Sequence, residues 1–355
     1  MPPVKPRFWR RRSFAVLSVI ALAISAALSG LMSAGKVSAA DMVCNGTNVM
    51  DKLAKNSPEI AKKVEAAADT LPNGKGLLWK IEKQGARPSY LFGTMHMSDP
   101  RLLDLTPKVS AALNSSSIVA LEVTDVLDPE KMKQKATAML QYTSYTDGSD
   151  VTSRLSEADA KLVGDLVSKR GSIPWFLAKR LKPWALMGAI ATPACENARK
   201  AAGKPFLDQK LAQIADEQGK ELVSLETVES QIRALSSLPE PLMLTALTET
   251  AKLGDRMDDI FETMIQLYER EETGTVWAMM RHLSPEGVKS QVQTSDYAAF
   301  QREIVDKRNI IMAEGTEKLI KAGGGAFIAV GALHLPGENG LVSILAQRGY
   351  KVTRQ

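Results

Sequence analysis

The chain has 355 residues, 45% of them hydrophobic, which is enough to bury a full core in one or two domains. Its formal net charge is +5, yet six of its 45 basic residues (Lys5, Arg7, Arg10, Arg11, Arg12 and Lys36) lie in the first forty positions, which hold no acid. The remainder carries 39 basic and 40 acidic residues, so its charge gives no footprint for nucleic acid.

The basic start reads as an export signal. "PRFWRRRS" is a positive leader, Phe14 to Met32 is apolar, and "VSAAD" supplies the small residues of a cleavage site. Residues 1–39 are therefore expected to be a secretory signal peptide, and "RRRSF" also fits a twin-arginine pattern. An uncleaved anchor is the alternative, because the apolar stretch approaches spanning length. The mature chain is expected in the periplasm or outside the cell, with no stable membrane anchor. Disulfides persist there, so Cys44 and Cys195, the two cysteines, are expected to pair; two unpaired thiols are the alternative.

Residues 40–355 read as one α/β domain. "LLWKIEKQGARPSYLFGT" predicts two strands around a Gly-Ala-Arg-Pro turn, and residues 104–115 a helix. "SSIVALEVTD" is a strand-length apolar run, buried on both faces. Helical patterns dominate from about 129 to 219, broken at Pro174, Pro183, Pro193 and Pro205. "LDQKLAQIADEQGKELVSLET" is a helix, a glycine stop and a short strand; residues 227–282 are again mostly helical. "FQREIVDKRNIIMAEGTEKLIKAGGG" predicts one long amphipathic helix closed by glycines. The strand "AFIAVGA", a helix from about 337 and the strand "YKVTR" complete the chain. The expected fold is a mixed sheet built from N- and C-terminal segments, with a large helical middle region, about 126–300, forming a cap.

The chain has three histidines, and two share a setting. His96 follows Gly93 in "YLFGTMH", and His334 follows Gly331 in "AVGALH". Each Gly-x-x-His ends an apolar strand run. Glycine permits a positive φ or a close backbone approach there, and ligands of α/β sheets bind at such strand ends. Gly-x-Ser-x-Gly, His-Glu-x-x-His and phosphate-loop patterns do not occur, so no motif points to serine hydrolases, zincins or P-loop enzymes.

Five blocks in order, "YLFGTMH", "VALEV", "LDQKLAQIADEQGKELVSLETVESQ", Arg308-Asn309 and "VGALHLPGENGLVSILAQRGYKV", resemble the TraB/GumN family, which includes the Tiki proteins. They span residues 76–354. The resemblance implies an α/β fold related to the erythromycin esterase and ChaN-like superfamily. It also implies a metal-dependent hydrolase, metalloprotease-like, using a divalent cation such as Mn²⁺, Co²⁺ or Zn²⁺. His96, His334 and Glu122 are then the expected metal ligands. Glu226 is expected as base or fourth ligand, with the two glutamates' roles interchangeable. Arg308 would hold a substrate carboxylate or steady an oxyanion. The expected partner is a peptide or small-molecule substrate. A non-catalytic protein of the same fold, binding haem, metal or peptide, is the competing reading.

Structural roles compete for the same residues. Glu122 and Arg308 could be a plain ion pair, and Glu226 or Asp208 a helix-start acid favoured by the dipole. Asp99 and Arg101 are expected to order the loop after His96 and cap the next helix. His282, without a glycine partner, reads as a surface residue at a helix end. If the leader is an export signal, N-terminal sequencing of the exported protein will find Ala40 or Asp41 first; recovery of Met1 or Pro2 on a membrane-bound form contradicts it.

Overall fold

The computed structural model describes residue 38 and residues 42–125, 128–282 and 298–355. The export segment, residues 1–39, thus lies almost wholly outside the described residues. Six strands form one sheet: β1 (Leu78–Glu82), β2 (Ser89–Thr94), β3 (Ile118–Leu121), β4 (Glu221–Ser224), β5 (Ala326–Gly331) and β6 (Lys351–Arg354). Their order is β4-β3-β5-β2-β1-β6. The first four in that order run parallel, and β1 and β6 extend the sheet antiparallel.

The central strands are apolar on both faces because helices cover both. Successive side chains of a strand point oppositely. Accordingly Phe327 and Ala329 of β5 join the larger core, whereas Ile328 and Val330 join a second core with Met312, Ile320, Leu341 and Leu345. The second core lies under helices Lys307–Lys321 and Leu341–Gln347. The helical middle region packs on the other face, and it also supplies the edge strand β4. The architecture is the mixed α/β one expected from the sequence.

Two local expectations change. The long helix near residue 300 begins with a π-helical turn, Gln301–Asp306, before regular winding resumes at Lys307. A π turn accommodates an extra residue, and here it carries Ile304 and Val305 just ahead of Arg308 and Asn309. The glycines of the two Gly-x-x-His motifs do not take positive φ. They serve close approach instead. A Cβ on Gly93 would lie 2.8 Å from Leu335 Cδ1 and 3.0 Å from Ala332, so only glycine lets the two histidine loops lie against each other. One on Gly331 would come within 3.2 Å of Glu122 Oε1.

Cys44 and Cys195 form a disulfide, with Cα atoms 5.3 Å apart and a sequence separation of 151 residues. It fastens the segment before helix Val49–Asn56 to helix Ala194–Ala201. Closing so long a loop stabilises the fold by at most about 5 kcal/mol through the unfolded chain's entropy. Cys44→Ser with Cys195→Ser should therefore lower unfolding free energy by about 2–5 kcal/mol in denaturant titrations. An unchanged midpoint would mean that the unfolded chain gains nothing from losing the bridge.

Candidate functional site

Parallel pairing delivers the candidate residues to one edge. Tyr90 to Thr94 of β2 pair with Phe327 to Gly331 of β5, so both strands end together and the two histidine loops leave side by side. Glu122 directly follows β3. Leu225 N–H donates to Leu121 O at 2.9 Å and Glu226 N–H to Glu122 O at 2.8 Å, which extends the β3–β4 ladder and sets the two glutamates next to each other. All four sites thus follow the C-terminal ends of parallel strands, where α/β sheets bind ligands.

Arg308 joins the glutamates. Its Nη2 donates to Glu122 Oε2 at 2.6 Å and to Glu226 Oε2 at 2.7 Å, and its Nε donates to both Glu226 oxygens at 3.0 and 3.1 Å. Gln231 Nε2 adds bonds to Glu122 (3.0 Å) and Glu226 (3.3 Å). Gly331 N–H donates to Glu122 Oε1 at 2.7 Å. All three charged groups are buried, at 5–7% exposure, and one guanidinium cannot neutralise two carboxylates. Burial opposes ionisation of Glu122, but Arg308, the two histidines and the Gly331 N–H outweigh it and hold its pKa low. Burial raises Glu226, only partly offset by Arg308. The titrations of the two are linked through the shared cation.

Each histidine is oriented by a partner at Nδ1. Asn309 donates from Nδ2 to Asn339 O at 2.7 Å, which leaves its Oδ1 as the acceptor for His334 Nδ1–H at 2.6 Å. His334 Nε2 then faces Glu122 Oε1, 3.9 Å away. His96 Nδ1 meets Asp208 Oδ2 at 2.9 Å, and Thr94 donates to Asp208 Oδ1 at 3.0 Å. Burial lowers the basicity of both rings. At His96 the Asp208 carboxylate outweighs burial and lifts the pKa to about 9. At His334 burial combines with the charges of Arg308 and His96, and the pKa falls to about 3.

The helical layer holds the loops by their carbonyls. Tyr268 O–H donates to Gly93 O at 2.7 Å, and Trp277 Nε1–H donates to Leu333 O at 3.1 Å. Beyond His96, Glu196 accepts from Ser98 N–H at 2.7 Å. Asp99 accepts from Arg101 N–H and from Arg199, capping helix Pro100–Leu103 as the sequence suggested. His96, Glu122, Asp208, Arg308 and His334 line one end of a cavity of about 100 Å³. The rest of its wall is mainly apolar, including Phe206, Leu235, Met264, Val276, Ile304 and Val305.

Two sequence expectations are revised by this geometry. Glu226 is not among the residues lining the cavity and is bonded to Arg308. Arg308 has both Nε and Nη2 taken by the glutamates; only Nη1, with a 3.4 Å contact to Ile304 O, is left to meet a ligand. A two-pronged grip on a substrate carboxylate is therefore closed to it. The ion pair that competed with a metal role for Glu122 is present, and Glu122 still keeps Oε1 towards His334. His282 lies at the exposed end of helix Thr273–His282, not in the cavity. Sequence reading passed over Asp208 and Asn309 as orienting groups. Asp208, taken for a helix-start acid, does begin helix Leu207–Glu217, but its carboxylate points to His96.

The donor set of two imidazoles and a carboxylate is one that suits a divalent cation. Among the described residues no three His, Cys, Asp or Glu side chains already converge at ligand spacing. The chemistry nevertheless fits: both Nδ1 atoms are engaged by outer partners, the usual arrangement behind metal-bound imidazoles. The 3.9 Å separation of His334 Nε2 and Glu122 Oε1 is about half an ångström wider than the ~3.4 Å of two ligand atoms set tetrahedrally about 2.1 Å from one ion, so the two would draw together on binding it.

Fold and site define an α/β protein with a histidine and carboxylate cluster at the carboxyl edge of its sheet. Residues 77–354 match the TraB/PrgY/gumN family model, and the chain belongs to that family. It is similar to Metalloprotease TIKI1 of Danio rerio, 26% identical over 315 residues that cover 78% of this chain and 62% of that protein. Metalloprotease TIKI1 of Homo sapiens is 26% identical, over 78% and 61%. The Metalloprotease TIKI homolog of Nematostella vectensis is 22% identical, over 81% and 69%. The chain spans about three fifths of the length of the first of these relatives. No solved structure matches it. No helix among the described residues is long and apolar enough to cross a membrane.

The His96–Asp208 pair makes stability depend on pH. The folded pKa of about 9 lies above the ordinary 6.5, so protonated His96 stabilises the fold fully below pH 6.5, and this is lost as pH rises through 9. Metal-free protein should lose on the order of 3 kcal/mol between those values. Asp208→Asn should flatten the profile; denaturant titrations at several pH values check both.

Proposed function

We propose that the chain is an exported, metal-dependent hydrolase acting on peptide bonds. The single observation that carries this is the pair of imidazoles on neighbouring strand ends, each fixed at Nδ1, sharing a buried edge with Glu122. His96, His334 and Glu122 would hold the cation. Bound there, a divalent ion supplies a nucleophilic water near neutral pH and polarises a carbonyl. Asp208 and Asn309 keep Nε2 of each ring turned to the cavity. Arg308 holds Glu122 in place and keeps Nη1 for the carbonyl oxygen as it gains charge. Glu226 acts through Arg308 as a positioning residue. The relatives named as metalloproteases support the reaction class.

Charge supports the same reading. Metal binding would displace the proton that Asp208 otherwise holds on His96; with His96 neutral, Glu122, Glu226, Asp208 and Arg308 leave two negative charges in a buried site, which a divalent cation would offset. Haem does not suit the cavity: about 100 Å³ is far below the ~300–1,000 Å³ of sites that enclose whole small molecules.

Purified protein loaded with Mn²⁺, Co²⁺ or Zn²⁺ should bind one ion per chain and cleave peptides. His96→Ala or His334→Ala should remove most of the metal and lower kcat/KM at least ~100-fold, as loss of a ligand or its partner does. Glu122→Gln should weaken binding, whereas His282→Ala should leave metal content and rate unchanged. Elemental analysis and peptide turnover check this. Wild type without metal and a His96→Ala variant indistinguishable from it would return the cluster to a structural role.

A further inference from the structure

The cavity beside the charged cluster also has a size and a chemistry, and together they select a substrate. Its wall away from the cluster is apolar: Phe206, Leu235, Met264, Val276, Ile304 and Val305 line it, each at most 6% exposed. Phe206 stands edge-on to His96, with ring centroids 5.6 Å apart and planes at 85°, so the apolar wall begins directly at the reactive end. The volume, about 100 Å³, is smaller than the roughly 150 Å³ of a cavity that takes up benzene. A single apolar side chain of aliphatic size suits that space better than a larger aromatic one.

The polar end adds a second restriction. Arg308 has spent Nε and Nη2 on Glu122 and Glu226, so no guanidinium fork is offered to a chain-terminal carboxylate. An acidic side chain would have to give up its hydration against the apolar wall. The site therefore lacks a carboxylate grip of the kind that selects the last residue of a peptide.

We infer that this chain cleaves internal peptide bonds adjacent to a single aliphatic residue of the Val, Leu, Ile or Met class, whose side chain enters the cavity. The inference rests on the hydrolase reading above and names its substrate class. Water adds across the amide: the C–N bond breaks, hydroxide goes to the acyl carbon and a proton to the departing nitrogen, with no change of oxidation state. Leu235, from helix Val228–Ser236, and its neighbour Ala234 both line the cavity.

The test uses the full mature chain, metal-loaded, and peptides blocked at both ends that carry Leu, Phe, Asp or Gly at one position. Wild type should cleave beside Leu at least tenfold faster than beside Phe, Asp or Gly. Leu235→Ala, which deepens the cavity, should raise the rate beside Phe relative to Leu by at least tenfold. Ala234→Leu, which fills the cavity, should shift preference towards Gly and covers the event that the first variant does not fold. A parallel readout needs no turnover: with metal-free protein, the blocked Leu peptide should raise the melting temperature more than the Asp peptide does. Cleavage without aliphatic preference, or only of peptides with a free C-terminal carboxylate, overturns the inference and leaves the hydrolase reading standing. Equal thermal shifts for Leu and Asp peptides also overturn it. Leu-selective binding with no cleavage by any metal form supports the cavity's selectivity and overturns the hydrolase reading instead.

Discussion

One buried guanidinium organises this molecule. Arg308 lies between Glu122 and Glu226, and all three are withdrawn from water. Ion groups buried in this way seldom add net stability over apolar packing, because desolvation consumes the Coulombic gain. Here the charges do not even balance, with two carboxylates to one cation. Such an arrangement is costly as a structural lock, and the neighbouring imidazoles share in offsetting its charge. It also fixes the fold: β3, β4 and the helix Lys307–Lys321 must come together in one register for the three groups to meet.

The surrounding structure serves that cluster at successive distances. Gln231 and the Gly331 N–H hold Glu122, and Asn309 and Asp208 aim the two rings. Farther out, Tyr268 and Trp277 hold the histidine loops by their carbonyls, while Glu196 and Arg199 hold the loop beyond His96. Cys195 neighbours Glu196 on the same helix, so the disulfide reaches within a few bonds of the loop that carries His96. Residues far apart in sequence thus act on one pair of imidazoles.

How much of this was legible before folding varied with range. Strands, most helices and the mixed sheet followed from apolar runs and glycine stops, which are local signals. His96 and His334 could be singled out because a recurring Gly-x-x-His at strand ends marks them, whereas Glu122 and Arg308 came only with the family resemblance. The conformation of the glycines was misjudged in part, since close packing of two loops rather than a positive φ requires them, and that depends on contacts between segments more than 200 residues apart. Asp208 could not be told from an ordinary helix-start acid, because its partner lies 112 positions earlier. The π turn before Lys307 left no periodic trace in an amphipathic pattern that continues through it.

In the proposed function His96, His334 and Glu122 share one divalent cation. Anomalous diffraction from crystals of the mature protein equilibrated with Mn²⁺ or Zn²⁺ tests it most directly. A single strong peak should lie about 2.0–2.3 Å from Nε2 of both histidines and from Glu122 Oε1. A peak placed elsewhere, or none at this edge of the sheet, would contradict it.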